Sequence, residues 1–85
     1  MAERKAIPLP ELAVGRAAIV ATVDEALPEL MEIGFVPGAQ VKPRHGGMGG
    51  DPRVYEVDGA LVALRRTAAR RVHVLAAPEG REGED

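Results

Sequence analysis

The segment Leu30-Met31-Glu32-Ile33-Gly34-Phe35-Val36-Pro37-Gly38-Ala39-Gln40-Val41 places the tightest limits on what this chain can fold into. Leu30 and Ile33 are three residues apart and share one helix face. Gly34 follows at once, where a helix can stop in the left-handed region at little steric cost. Phe35 and Val36 supply apolar contact beyond the stop. Pro37-Gly38 matches the two central positions of a type II turn, proline presetting φ at the first and glycine accepting a positive φ at the second. The chain must therefore pass from helix to strand at this joint, and the rest reads as strand built around it.

Arg16 to Val23 is the first predicted strand, rich in Val, Ile and Ala with no breaker. Ile19, Ala21 and Val23 share one face and Ala18, Val20 and Thr22 the other, and both faces are mild enough that either could point inward. Asp24 is a reasonable N-cap for the helix that follows. That helix starts near Glu25 or at Pro28, and from Pro28 it is too short to exist alone. It would persist by packing Leu27, Leu30, Met31 and Ile33 onto the strands. Gln40 to His45 is the second strand, with Pro43 demanding an edge, a bulge or an early end. Arg53 to Val57 and Ala60 to Arg65 are the third and fourth, joined by the two-residue hairpin turn Asp58-Gly59. Thr67 to Arg70 reads as one helical turn capped by Thr67, and Val72 to Leu75 as the fifth strand. Upstream, Ile7 to Leu12 carries two prolines; Pro10 can open a single turn that sets Leu9 and Leu12 on one side as a plug.

Five short strands, one tight hairpin and one short helix predict a small, mainly β barrel, which removes most exposed edges with few core residues. At 85 residues there is room for one domain. Its expected limits are a flexible N-terminus over 1–6, the barrel over 7–75, and an acidic, disordered tail over 76–85. With only Phe35 and Tyr55 aromatic, the core must be aliphatic.

The lack of cysteine excludes disulfide frameworks, thiolate metal sites and thiol catalysis. No apolar run approaches the roughly 20 residues of a membrane span, and no apolar stretch follows Met1 to Lys5 as a secretory signal would require. The expectation is a soluble, cytoplasmic protein with no direct membrane insertion. Serine is absent and no catalytic triad can be assembled, so no enzyme activity is expected. His45, Asp51 and His73 are the weak candidates for a divalent transition metal, within one chain or between chains, and the bland alternative is two surface histidines. Gly46 to Gly50 could cradle an anion, but a strand rather than a helix follows, which favours a hairpin loop. Residues 42–75 carry seven bases against three acids. Arg65-Arg66 and Arg70-Arg71 in that stretch could meet an acidic surface or merely cover barrel edges. Nucleic-acid binding would want more basic charge and more aromatic platforms than Tyr55.

Four stretches resemble the FeoA family, the ferrous iron transport protein A domains. Leu30 to Gly38 with Val41 resembles the family signature. Ile7 to Leu12 with Gly15 is similar to its opening turn, Gly50-Asp51-Pro52 to its mid-domain hairpin, and Ala63 to Arg66 with Ala69 and Val72 to its closing strand and turn. The resemblance covers about residues 7–75. It implies an SH3-like barrel of five to six short antiparallel strands, with one short helix between the first two and a helical turn before the last. It also implies a non-catalytic accessory of ferrous iron uptake that binds the cytosolic region of a FeoB-type GTPase transporter and needs no cofactor. Met31, Phe35, Met48, Arg65 and Arg66 are the expected partner contacts, and Gly34, Pro37, Gly38, Asp58 and Gly59 the structural turns. The alternative is a metal-binding or metal-sensing domain related to the C-terminal domain of DtxR-type regulators. Self-association stays open. Pro28-Glu29 stands where family members often carry basic residues.

Overall fold

The helix-to-strand joint forms as its residues dictate. The computed structural model describes residues 5–45 and 48–77, with Met48 by its backbone only. Expectations for the extreme N-terminus, for Gly46-Gly47 and for the tail from Pro78 lie outside the described residues. Helix α1 is Pro28–Glu32, with Pro28 as its first residue, so the shorter of the two expected helices is the one that forms. Its end is a Schellman motif: the Phe35 N–H donates to the Leu30 carbonyl at 3.0 Å and the Gly34 N–H to the Met31 carbonyl at 3.1 Å. Gly34 sits at φ 118°, and a Cβ there would lie 3.4 Å from Val57 Cγ1. The Pro37-Gly38 turn is closed by Ala39 N–H to the Val36 carbonyl at 3.0 Å. It is also tied to the neighbouring strand, since the Gly38 N–H donates to the Val20 carbonyl at 2.9 Å.

Six antiparallel strands make one sheet: β1 (Ile7–Pro8), β2 (Ala18–Val23), β3 (Gln40–Pro43), β4 (Arg53–Val57), β5 (Ala60–Leu64) and β6 (Val72–Ala76), in the order β1-β6-β2-β3-β4-β5. The fold is the small, mainly β, SH3-like barrel. The sixth strand is Ile7–Pro8, which pairs with β6 through Ile7↔Val74 and Pro8↔His73. A 3₁₀ turn over Leu9–Glu11 follows, and Leu9 and Leu12 are both buried as the expected plug. Strand β3 stops at Pro43, the early end its missing N–H requires. Strand β6 runs on to Ala76, and the Ala77 N–H donates to the Ala17 carbonyl at 2.9 Å. The sheet therefore extends past the expected limit at residue 75.

Strand β2 turns both of its faces inward in succession. Ala18 and Val20 are buried, then the register against β6 slips between Val20 and Thr22, and Val23 is buried next. Ala21 is the extra residue of a β-bulge, which shifts the inward positions from even to odd numbers. The core is aliphatic except for the chain's two aromatic residues, Phe35 and Tyr55, which meet edge to face with ring centroids 6.4 Å apart. Among the described residues no polar or charged side chain is buried.

Candidate functional site

The candidate site is a contact surface. It forms at the corner where α1 meets the Pro37-Gly38 turn. A helix of five residues buries little, and here only Leu30 goes fully inside. Leu27 packs against the core half-buried, while Met31 and Ile33 are 40% and 43% exposed. Both were expected to pack onto the strands; a single helical turn directs only one position squarely at the sheet, and Leu30 takes it. Val36, placed beyond the Schellman cap, is 39% exposed. Three large apolar side chains thus stand in solvent within six positions of one another, on backbone held by the cap, the turn and β2.

The other expected contacts divide. Phe35 is 0% exposed, its ring locked against Tyr55, so it supports the corner from beneath and offers no surface itself. The Met48 side chain lies outside the described residues. Arg65 and Arg66 are exposed, at the junction of β5 with helix α2 (Arg66–Ala69). Ile33 and Val36 were missed as surface residues. For Ile33 the signal that could have found it is helix length, because a turn that starts at Pro28 and stops at Gly34 has one buried position to fill; Val36 lies beyond that stop and carries no such signal.

Asp24 and Asp51 both act through backbone. Asp24 does not cap α1, whose N-cap is Leu27 with no side-chain bond. Its Oδ1 instead accepts from the Ala26 N–H at 2.9 Å, and its Oδ2 pairs with the Arg71 guanidinium, joining the approach to α1 with the end of α2. The Ala26 N–H, then Arg71, holds the Asp24 carboxyl below its ordinary value of 3.8. Asp51 Oδ1 accepts from the Arg66 N–H at 3.0 Å and so satisfies the first turn of α2. Thr67, the expected cap, lies inside that helix. Burial raises the Tyr55 phenol above its ordinary 10.0, against the lowering effect of nearby Arg53.

The metal candidates are spread over the fold. His45 is an exposed residue beyond the end of β3, Asp51 is engaged at α2, and His73 is half-buried on β6 opposite Pro8 and Thr22. Among the described residues no group of three His, Asp or Glu side chains comes together to hold a metal ion. No described helix is long and apolar enough to cross a membrane. The two expected structural turns are formed, with Asp58 at φ 48° and Gly59 at φ 90° in the β4–β5 hairpin.

A search of curated proteins finds no match. Solved structures do match. The FeoA protein of Chlorobium tepidum is 32% identical, with a TM-score of 0.76 over 88% of this chain and 76% of that one. The FeoA of Stenotrophomonas maltophilia, an SH3 domain protein solved with zinc, is 34% identical, with a TM-score of 0.69 over 82% of this chain and 88% of that one. A manganese-dependent transcriptional repressor shares the fold alone, at 20% identity and a TM-score of 0.76 over 91% of this chain and 45% of that one. The FeoA domain family itself matches residues 7–76, the span from β1 through β6, and the chain belongs to that family.

Proposed function

We propose that this protein is a non-catalytic accessory of ferrous iron uptake that works in the cytoplasm by docking on the cytosolic GTPase region of a FeoB-type transporter. The observation that carries this reading is the exposed apolar corner of Met31, Ile33 and Val36. Interfaces draw most of their energy from a few apolar or aromatic anchors at their centre, and methionine suits a surface that adapts to its partner. Family membership supplies the iron-transport context. The S. maltophilia relative has itself been described as a candidate ferrous iron transport activating factor. The metal-sensing alternative draws no support from the placement of His45, Asp51 and His73.

The test is binding of the wild-type chain and of a Met31→Glu/Ile33→Glu variant to the purified GTPase region of a FeoB-type transporter. The variant should bind at least about tenfold more weakly, a loss of about 1.4 kcal/mol, while its thermal melt is unchanged. Equal binding by the two proteins would reject the corner as the contact.

A further inference from the structure

The two edges of the sheet are finished differently. Strand β1 is two residues long and ends in Pro8, the short and proline-blunted kind of edge that discourages further pairing. Strand β5, at the other edge, is Ala60-Leu61-Val62-Ala63-Leu64, with neither charge nor proline. Leu61 is 65% exposed, more than any other large apolar side chain among the described residues.

The hairpin register decides which backbone groups of β5 remain open. The Asp58-Gly59 turn closes on the Val57↔Ala60 pair, and the ladder continues through Tyr55↔Val62 and Arg53↔Leu64. In such a hairpin the residues flanking the turn exchange both hydrogen bonds, and alternate pairs follow suit. Ala60, Val62 and Leu64 therefore direct their N–H and C=O groups to β4, and Leu61 and Ala63 direct theirs to the open side. Among the described residues no strand pairs with β5 on that side.

We propose that β5 is a self-association edge that pairs antiparallel with β5 of a second copy of this chain, in the register Leu61↔Ala63 and Val62↔Val62. A second copy is the occupant that fits the charge. The strand runs from the acidic turn at Asp58 to the basic pair Arg65-Arg66. Two such strands laid antiparallel bring the Arg65-Arg66 end of each to the Asp58-Gly59 end of the other. The register centred on Leu61↔Leu61 shifts each arginine pair beyond the other copy's turn. The register centred on Ala63↔Ala63 sets Leu61 opposite Arg65. Only the Val62-centred register uses all the outward groups of Leu61 and Ala63 and faces opposite charges at both ends. The contact is small, so the dimer is weak and forms at high protein concentration.

The chain has no cysteine, so single cysteines report the register directly. Leu61→Cys and Ala63→Cys both replace exposed residues. Directly opposed residues in a hydrogen-bonded antiparallel pair have Cα atoms about 5.5 Å apart, within disulfide range. Under mild oxidation at high concentration, an equimolar mixture of the two variants should form mixed disulfide dimers at least about tenfold faster than either variant alone. In parallel, wild-type protein should show a concentration-dependent rise in sedimentation coefficient that Ala63→Pro abolishes, with circular dichroism confirming that the variant is folded. Faster crosslinking of Leu61→Cys alone or of Ala63→Cys alone would overturn the register. A wild-type chain that stays monomeric to millimolar concentration would overturn the dimer.

Discussion

Helix α1 is terminated by groups within its own neighbourhood: the Gly34 and Phe35 N–H groups close back on Met31 and Leu30. Helix α2 is started by a carboxylate fifteen positions away, Asp51, which accepts from the Arg66 N–H. Both are single turns that could not persist alone. The first is punctuated by residues whose backbone preferences act wherever they are placed. The second depends on the loop before β4 and the end of β5 arriving at the same place. A helix end of the first kind should survive changes elsewhere in the barrel, and one of the second kind should not.

The largest effect belongs to the residue that anchors the α1 corner to the core. Phe35→Ala removes a fully buried ring and its contact with Tyr55, and should cost about 3–5 kcal/mol in a denaturant titration. A loss under 1 kcal/mol would mean that the corner holds by its local signals alone. Next comes Gly34→Ala. It puts a Cβ into a left-handed conformation at φ 118° and against Val57, for about 1–2 kcal/mol.

Asp51→Ala should cost about 1 kcal/mol, as for loss of a helix cap, and should lower amide protection at Arg66. Thr67→Ala, which alters the residue that sequence alone favours as the cap, should stay within about 0.5 kcal/mol. If the two exchange places in magnitude, the non-local account of α2 fails. The smallest effect is a pH dependence at Asp24. Its carboxyl titrates lower in the folded chain than its ordinary 3.8, so the unfolded chain binds the proton first as the pH falls. Its stabilising contribution is present above pH 3.8 and is lost as the pH drops through the folded value. Asp24→Asn should flatten that part of the acid titration of stability, and an unchanged acid limb would remove Asp24 as a tie between α1 and α2.

The candidate corner was half legible. Met31 reads two ways, as a helix residue packed onto the strands and as a surface contact by residue type, and it is exposed. Phe35 reads the same way and is buried, because residue type cannot distinguish a ring that crosses over the cap into the barrel from one that stays outside. The inward face of β2 was unreadable for a specific reason. Alternation assumes a constant period of two, and the bulge at Ala21 breaks it in the middle of the strand. Strand β1 was hidden because two residues, one of them proline, make no pattern, and only pairing with β6 makes them a strand.

The amino-acid sequence by itself determined three corners, Gly34 at the end of α1, Pro37-Gly38 into β3 and Asp58-Gly59 between β4 and β5, while it left α1 two possible starts and β3 three possible outcomes at Pro43. These are matters of allowed φ and available N–H groups, which each residue carries in any context. Tertiary structure alone decided which apolar residues became core and which became surface. It also decided which acid satisfied which backbone group and which sheet edge was left open. Those outcomes depend on segments far apart in the chain meeting in one small barrel, where a five-residue helix buries one leucine and leaves its methionine outside, and the isoleucine and valine that follow it stay exposed as well.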